Sequence, residues 1–188
     1  MKKTKLFIIT GPSAVGKTTV AGLVVKKMKN LQRIVTYTTR QRRRGERNGR
    51  DYNFISVEEF KKRIKEKEFF EWAINYDNYY GNSRKDIQKL IKQGKTPLFV
   101  IDIKGALKIK KIWPGGKAIF ILPESLKQLE NRLKKRLETT PTAIKKRLAV
   151  AKWEIDQAPK CDYWVVNREG KIIETVLETA DFIKQSQK

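Results

Sequence analysis

Residues 11–18 have the sequence GPSAVGKT and fit the pattern G-x-x-x-x-G-K-[ST], which is typical of loops that bind the phosphates of a nucleoside triphosphate. Gly11 and Gly16 permit backbone angles that turn successive N–H groups toward phosphate oxygens. In such a loop the lysine, here Lys17, reaches the β- and γ-phosphates, and the hydroxyl of Thr18 is offered to Mg²⁺. A chance glycine-rich turn is the alternative, but an apolar run precedes the pattern and a helical repeat follows it. We therefore predict a bound nucleoside triphosphate with its Mg²⁺.

A second group of residues suited to phosphate chemistry lies at 37–54, where the sequence is YTTRQRRRGERNGRDYNF. Six arginines share this stretch with two acids. A guanidinium group carries a permanent charge and a planar fork of donors that matches phosphate oxygens. The stretch could bind a polynucleotide backbone, form a solvated loop or hold one small phosphate group. Its composition alone leaves these three interpretations open.

The composition of the 188-residue chain excludes several kinds of site. The chain has no histidine, which excludes a hydrolase with a histidine base, and its one cysteine, Cys161, excludes an internal disulfide and a cysteine–histidine metal cluster. The single cysteine favours a reducing compartment, and we expect the cytoplasm. The longest apolar runs are strand-sized, so we expect neither a signal peptide nor a membrane partner. The formal charge of +23 favours anionic partners without identifying them.

The phosphate loop needs a strand before it and a helix after it, and most of the chain alternates in this way. Continuous apolar runs predict buried strands at 5–10, 96–103, 118–122 and 163–166, and residues 33–38 are predicted to form a short strand. Helical spacing and capping residues predict helices at 17–29, 56–67, 83–93, 125–137, 140–157 and 172–185. Buried strands that alternate with helices predict an α/β fold with a parallel sheet flanked by helices. Residues 33–83 break the alternation and indicate an inserted mixed α/β lobe.

Further motifs accompany the phosphate loop along nearly the whole chain: TTR-x-x-R-x-G-E-x-x-G-x-DY-x-F at 38–54, F-x-EWA at 69–73, NYYG at 78–81, DI-x-GA at 102–106, RL…R…I-x-x-RL at 132–148 and VVN at 165–167. With these motifs in register, the sequence resembles the guanylate kinase family, whose members phosphorylate GMP with ATP. The resemblance implies three parts: a P-loop core (1–32, 84–124 and 159–188), a GMP-binding lobe (33–83) and a helical lid (125–158). It also implies the reaction ATP + GMP = ADP + GDP, with Mg²⁺ accompanying ATP.

By position in these motifs, the resemblance implies roles for individual residues. The ATP-binding residues would be Gly11, Pro12, Ser13, Ala14, Val15, Gly16, Lys17, Thr18, Thr19 and, near the adenine, Asn167. The GMP-binding residues would be Arg40, Arg43, Tyr52 and Tyr80 at the phosphate, with Thr36, Glu71, Asn82 and Asp102 in the rest of the site. The catalytic residues would be Lys17, Arg43, Arg136 and Arg147, and the metal-binding residue would be Thr18.

These residue types suit a reaction that brings two phosphate groups together. Phosphoryl transfer depends on positioning and charge stabilisation. The accepting phosphate has a second pKa of about 6 and needs no general base, so the absence of histidine is no obstacle. Glu71 lies among large apolar residues, and a carboxylate there can accept hydrogen bonds from both N1–H and N2–H₂ of guanine, a donor pair that adenine lacks. A solvated acid at a helix end is the alternative for Glu71.

The sequence departs from the family pattern at four positions. Val100 stands where the family has the first acid of D-x-D, Asn82 follows YYG in place of serine or threonine, Thr36 replaces a serine, and Leu137 replaces a glycine in the lid.

Val100 and Asn82 leave open an alternative function, that of a kinase with the same fold that acts on another small phosphate. A binding module without catalysis is a further alternative, which the intact P-loop and lid arginines disfavour. We expect ATP and GMP as partners, no specific nucleic-acid partner, and a monomer or a homodimer.

Overall fold

The computed structural model describes residues 5–75, 77–136 and 140–187, which form nine strands and seven α-helices. The strands are β1 (Phe7–Thr10), β2 (Leu31–Arg33), β3 (Tyr37–Thr38), β4 (Asn53–Phe54), β5 (Phe69–Asn75), β6 (Asn78–Ser83), β7 (Thr96–Val100), β8 (Lys117–Pro123) and β9 (Tyr163–Asn167). The helices are α1 (Lys17–Lys27), α2 (Val57–Lys65), α3 (Arg84–Lys92), α4 (Ile103–Ile112), α5 (Leu126–Arg136), α6 (Pro141–Asp156) and α7 (Ile172–Gln187).

A five-stranded sheet in the order β2-β7-β1-β8-β9 forms the centre of the fold, and all of its strand pairs are parallel. Side chains of β1 alternate between the two faces of the sheet. Phe7 and Ile9 pack with residues of α1 and α7, whereas Ile8 packs with residues of α3 and α4. Helices therefore cover both faces of the sheet, as its fully buried strands require. The predicted α/β fold with a flanked parallel sheet is confirmed.

Three segments with predicted site residues lie at the carboxyl ends of parallel strands, and therefore at one edge of the sheet. The phosphate loop follows β1, Asp102 follows β7, and Asn167 ends β9. Ligands of open α/β sheets bind outside this edge, because the loops there can diverge and form a crevice. The fold thus assembles three separate sequence motifs at one place.

A second, four-stranded sheet in the order β4-β3-β6-β5 combines parallel and antiparallel pairs. Helix α2 packs against it through Phe60, whose ring stacks on that of Phe69 with a centroid distance of 4.4 Å. Gly81 of β6 permits this contact, because a Cβ atom there would come within 2.9 Å of the Phe60 ring. These elements form the mixed α/β segment that the sequence predicts between the first and second buried strands.

Two predicted strands are wrong in their extent. The predicted strand at 33–38 is two strands, since β2 pairs with β7 in the central sheet and β3 pairs with β4 and β6 in the second sheet. The predicted strand at 96–103 ends at Val100. A run of apolar residues indicates burial, but it does not show where the chain leaves one sheet for another or turns into a helix.

Helix α4 is missing from the sequence predictions. Asp102 is its N-cap, and its Oδ1 accepts a hydrogen bond of 2.8 Å from the Gly105 N–H. Ile103, Ala106 and Ile109 recur at helical spacing and are all fully buried. The apolar run of β7 continues almost unbroken into this helix, so the sequence contains no polar stretch that marks the boundary between them.

Predicted helix starts at four positions are confirmed by their caps. In each case a side-chain hydroxyl accepts a hydrogen bond from the backbone N–H three residues later. The four capping residues are Ser56, Ser83, Ser125 and Thr140. The predicted end of α5 at Leu137 lies outside the described residues. In the part of the chain that is described, no helix has the length and apolar character that crossing a bilayer requires.

Candidate active site

The loop between β1 and α1 has a backbone that requires glycine at two positions. Gly11 and Gly16 have φ angles of 136° and 107°, which side-chain-bearing residues rarely adopt. A Cβ atom on Gly11 would collide with the carbonyl oxygen of Ile121, and one on Gly16 would lie 2.6 Å from the amide nitrogen of Asn167. The conformation and the crowding around the loop therefore explain both glycines of the predicted phosphate-binding motif.

The N-terminus of α1 is suited to an anion. Its N-cap, Gly16, has no side-chain capping bond, and the first turn contains no acid. No side-chain charge therefore neutralises the partial positive charge at this end of the helix dipole. The ammonium group of Lys17 donates hydrogen bonds of 2.6 Å to the Gly11 carbonyl and 2.8 Å to the Pro12 carbonyl. The lysine thus folds back over the loop, where an incoming phosphate would meet it.

Two distant residues fix the outer wall of the phosphate loop. The carbonyl oxygen of Val15 accepts hydrogen bonds from the Asn167 amide at 2.8 Å and from Nη1 of Arg132 at 3.0 Å. Asn167 comes from the end of β9 and Arg132 comes from α5. These contacts tie the loop both to the central sheet and to the segment predicted as a lid.

A cleft of about 630 Å³ joins the phosphate loop to the second sheet and to helix α6. This volume is within the usual range for small-molecule sites. The predicted site residues that line it are Ser13, Ala14, Gly16, Lys17, Thr18, Thr19, Thr36, Arg40, Arg43, Tyr52, Glu71, Tyr80, Asp102 and Arg147. The fold therefore brings residues from both predicted nucleotide sites to one cavity.

Other predicted site residues lie behind the cleft walls or outside the description. Gly11, Pro12 and Val15 belong to the phosphate loop itself, Asn167 donates a hydrogen bond to it, and all four are buried. Asn82 is completely buried beneath the cleft. The backbone of Arg136 ends helix α5, but its side chain lies outside the described part of the structure.

Arg40 is held in place by Glu46, a residue that the sequence predictions did not include in the site. Nη2 of Arg40 donates to both carboxylate oxygens of Glu46, at 2.7 and 3.0 Å, and the Arg43 N–H donates to Oε2 at 2.8 Å. Burial acts to raise the pKa of Glu46, but these hydrogen bonds and charges outweigh it and leave the pKa below its usual value. The paired arginines are therefore oriented by a carboxylate that stays ionised.

Two tyrosines complete the arginine end of the cleft. The Tyr52 ring lies 6.2 Å from the Tyr80 ring in an edge-on arrangement, and the Arg40 guanidinium lies 5.3 Å from the Tyr52 ring centroid. Burial raises the pKa of Tyr52 above its usual value, so its hydroxyl remains a neutral hydrogen-bond donor. Two guanidinium groups and two hydroxyls thus converge at this end, a combination suited to one phosphate group.

The second sheet lines part of the cleft, and the paired arginines lie at one end of this surface. A buried carboxylate lies at its other end. Glu71 of β5 is only 7% exposed and lies directly opposite Asn82 of β6. The Thr36 hydroxyl donates a hydrogen bond of 3.0 Å to Oδ1 of Asn82. Among the described residues, neither Oε2 of Glu71 nor Nδ2 of Asn82 has a hydrogen-bond partner. The Asn82 amide lies close enough to the Glu71 carboxylate to act against the rise of its pKa, so the two groups interact, and Glu71, which lines the cleft, is the one that a polar ligand can reach.

Two carboxyl groups of the cleft have strongly raised pKa values. Burial, reinforced by the charge of Asp102, raises the pKa of Glu71 to about 7. Burial likewise raises the pKa of Glu154, a residue of α6 absent from the predicted site, to about 7, although the charge of Lys17 opposes this shift. Raised pKa values of this kind concentrate at functional sites, because binding and catalysis require groups that the fold alone does not satisfy.

These raised pKa values predict that the fold loses stability as the pH rises. Glu154 titrates near its ordinary value of 4.5 when unfolded and at about 7 when folded, so its stabilising contribution is full below pH 4.5 and lost as the pH rises through 7. A shift of this size corresponds to about 3 kcal/mol. We therefore compare the free energy of unfolding of Glu154→Gln with that of the wild type. The difference between them is expected to shift in favour of the variant by about 2–3 kcal/mol between pH 4.5 and pH 8. Urea unfolding at both pH values measures this difference. An equal difference at the two pH values would contradict the prediction.

The donor set of the cleft fits a magnesium ion that is bound together with phosphates. Among the described residues, no three acidic, histidine or cysteine side chains are grouped so that they could hold a metal ion. The cleft does contain the Thr18 hydroxyl and the carboxylates of Asp102 and Glu154. Mg²⁺ usually keeps several waters and binds through one or two carboxylates plus substrate phosphates, so this sparse set of oxygens suits it.

Four charged residues of the site were missed by sequence reasoning: Glu46, Arg132, Lys135 and Glu154. Arg132, Lys135 and Glu154 line the cleft, and Glu46 orients Arg40. Arg132 begins the RL…R pattern of the predicted lid, and Glu154 follows Arg147 by seven residues, or two helical turns. These spacings could have indicated a shared helix face. Lys135 offered no such signal, because it lies among several exposed lysines.

The phosphate loop at the edge of a parallel sheet, open to a cleft with paired arginines and a buried carboxylate, defines a P-loop nucleotide-binding protein of the kinase type. The family model described as guanylate kinase matches residues 3–186. The chain therefore belongs to the guanylate kinase family.

Individual relatives agree with this assignment. The chain is 43% identical over 166 residues to the guanylate kinase of Caldanaerobacter subterraneus subsp. tengcongensis, which covers 88% of this chain and 81% of that protein. It is 42% identical over 178 residues to the guanylate kinase of Thermosynechococcus vestitus, with 95% and 93% covered. The crystal structure of guanylate kinase from Anaplasma phagocytophilum superposes with a TM-score of 0.80 at 30% identity, over 97% of this chain and 85% of that one.

Proposed function

We propose that this enzyme transfers the terminal phosphoryl group of ATP to GMP and releases ADP and GDP. The observation that carries the proposal is the single cleft in which the phosphate loop faces Arg40, Arg43 and the buried Glu71. Membership of the guanylate kinase family supports the same reaction. A module that binds nucleotides without catalysis is not favoured, because Lys17 and Arg147 both line this cleft.

The residues of the cleft suggest how the two nucleotides are held. The loop N–H groups and Lys17 would bind the ATP phosphates, and Arg40, Arg43, Tyr52 and Tyr80 would bind the GMP phosphate, as the family resemblance implies. The GMP phosphate is itself the nucleophile and needs no base. Its attack on the γ-phosphorus forms the new P–O bond, while the bond to the β-phosphate oxygen breaks and ADP leaves.

Guanine selection would rest on Glu71. An ionised carboxylate accepts hydrogen bonds from N1–H and N2–H₂ together, and the buried position makes an unmatched base costly. Asn82, which is completely buried and accepts a hydrogen bond from Thr36, would act on the base indirectly, through its contact with Glu71. Adenine lacks this donor pair.

Transfer itself would depend on positive charge from two sides. Lys17 comes from the core and Arg147 from helix α6, and Arg136, at the end of α5, is proposed as a second lid arginine. Bound with ATP at the Thr18 hydroxyl, Mg²⁺ would neutralise charge on the β- and γ-phosphate oxygens.

The proposed roles divide the chain into a core (1–32, 84–124 and 159–188), a GMP-binding lobe (33–83) and a lid (125–158). The single Cys161 fits a reducing compartment, and we propose the cytoplasm.

The acceptor specificity tests the proposal. ADP production from ATP and Mg²⁺ is measured with GMP, dGMP, AMP, CMP and UMP in separate reactions. We expect rapid turnover with GMP, slower turnover with dGMP, and at least 10³-fold lower kcat/KM with the other three. A preference for AMP, CMP or UMP would contradict the assignment of Glu71 and support a kinase with a changed base pocket.

Glu46 provides a separate test of the phosphate site. We expect Glu46→Gln to raise the KM for GMP about tenfold, with a smaller change in kcat, because Arg40 loses the ionised partner that orients it. Glu59→Gln is the matched control, since it removes the partner of Arg63 on α2 without touching the cleft. Equal KM values for the two variants would show that Glu46 has no role in GMP binding.

A further inference from the structure

Glu154 is a buried acid of the lid whose position the roles described so far do not explain. It is 7% exposed, lies on α6, and lines the cleft together with Lys17 and Thr18. Among the described residues, its carboxylate takes part in no hydrogen bond or ion pair, and Lys17, Asp102 and Lys104 act on it only through their charges. A carboxylate that lines the cleft without a protein donor leaves its oxygens open to a ligand bound there.

The other carboxylate of this wall differs from Glu154 in its hydrogen bonds. Asp102 receives a hydrogen bond from the Gly105 N–H at Oδ1, and another from the Asn75 amide at Oδ2. Both of its oxygens are therefore engaged by the protein. Val100, which also lines the cleft, offers no oxygen at all. Glu154 accepts no hydrogen bond from the described residues, so more of its lone pairs are open to a ligand than those of Asp102.

The lid helix holds Glu154 toward the loop. Arg147 and Glu154 are two helical turns apart and line the same cleft, so one face of α6 is directed into it. The residue before Glu154, Trp153, has the Lys104 ammonium of α4 5.3 Å from its ring centroid, which ties this part of α6 to the core. A ligand of Glu154 must therefore lie between the lid and the phosphate loop, where the ATP phosphates are proposed to bind.

We propose that Glu154 is a positioning residue that accepts hydrogen bonds from water molecules of the magnesium ion bound with ATP. The inference rests on the proposed function. Phosphate oxygens would repel a bare carboxylate, whereas the waters of a hydrated Mg²⁺ are strong donors that match its free lone pairs. Acceptors of this kind fix the orientation of metal-bound groups, and their loss typically weakens metal affinity about 10–100-fold. Because Glu154 belongs to α6, the same contact links binding of the metal to the position of the lid.

The test compares nucleotide affinity with and without the metal. The full-length wild type, Glu154→Gln and Asp156→Asn are titrated calorimetrically with the β,γ-imido analogue of ATP, once with saturating Mg²⁺ and once with EDTA. Asp156→Asn is the matched control, because it makes the same change of charge two residues away at an exposed position. We expect the ratio of the two affinities to fall about tenfold in Glu154→Gln and to stay unchanged in the control. Thermal unfolding confirms that the variants are folded.

The outcomes separate this inference from the proposed function. An unchanged affinity ratio in Glu154→Gln would overturn the inference, as would a wild type whose affinity does not depend on the metal. An equal loss of affinity with Mg²⁺ and with EDTA leaves the ratio unchanged; it would mean that Glu154 acts on Lys17 or on the nucleotide itself, and would also overturn it. Turnover of GMP by the wild type is measured in parallel. If that activity is present while the ratio is unchanged, the inference alone has failed.

Discussion

Arg147→Ala is expected to lower kcat for GMP phosphorylation by about 10³-fold, with a much smaller change in the KM for GMP. The reason is that Arg147 lines the cleft from α6, whereas the residues proposed to bind the GMP phosphate belong to residues 33–83. Its charge would stabilise the phosphoryl group in transfer, an interaction that strengthens in the transition state and contributes little to substrate binding. Steady-state kinetics with GMP and ATP measure both quantities.

Lys146 supplies the matched control for this experiment. It precedes Arg147 on α6, carries the same charge and is exposed, but it does not line the cleft. Lys146→Ala should therefore keep kcat within about twofold of the wild type, as is usual for exposed substitutions. If Arg147→Ala and Lys146→Ala had similar kcat values, Arg147 would have no catalytic role.

Glu71→Gln should reduce kcat/KM for GMP by about 10³-fold while kcat/KM for AMP changes little or rises. Glutamine keeps the size of the side chain but replaces one acceptor oxygen with a donor, so one guanine N–H group faces another donor. A glutamine amide can pair with adenine, whose edges present an acceptor beside a donor. The ratio of kcat/KM for GMP to that for AMP is the quantity to measure.

Glu66→Gln is the control for the loss of a carboxylate in this lobe. Glu66 is exposed at the end of α2 and takes no part in the cleft. The control should keep the GMP preference of the wild type. A Glu71→Gln enzyme with unchanged preference would show that guanine is recognised elsewhere, and would favour the interpretation of Glu71 as a structural acid. Glu71→Gln should also remain folded, because burial of its carboxylate already disfavours the ionised form.

Much of the fold was accessible from the sequence because burial and capping leave local signals. The apolar runs of β1, β8 and β9 and the hydroxyl caps of α2, α3, α5 and α6 all lie where the pattern predicts them. The failures occur where local signals merge. In residues 96–112 a buried strand passes into a buried helix, and in residues 31–38 one apolar stretch serves two sheets. Pairing partners are a property of the tertiary structure, and the local sequence does not contain them.

The residues of the site likewise fall into some that the sequence predicts and others that it does not. The phosphate loop was predictable because its glycines, lysine and threonine are contiguous and each has a local physical reason. Residues that act through other residues were not predictable. Glu46 belongs to the site only because its carboxylate accepts a hydrogen bond from Arg40. Arg132 belongs to it only because it donates a hydrogen bond to the carbonyl of Val15, far away in the chain. A single sequence does not reveal which acid meets which arginine, so these supporting contacts required the structure.

In the arginine-rich stretch at 37–54, contacts in the structure distinguish the arginines from one another. Arg40 and Arg43 line the cleft and share Glu46, whereas Arg42 and Arg44 are exposed. The stretch therefore contains one organised pair within a loop that is otherwise solvated. This arrangement suits a small phosphate group, because two of the six arginines converge on one cavity.

Transfer of label from [γ-³²P]ATP is the measurement that tests the central claim most directly. The purified protein is incubated with labelled ATP, Mg²⁺ and GMP, and the products are separated by chromatography. We predict that the label appears in GDP, that GDP and ADP form in equal amounts, and that omission of GMP abolishes ADP formation. Label in inorganic phosphate, released at the same rate without GMP, would contradict the account and identify the chain as a nucleotide hydrolase.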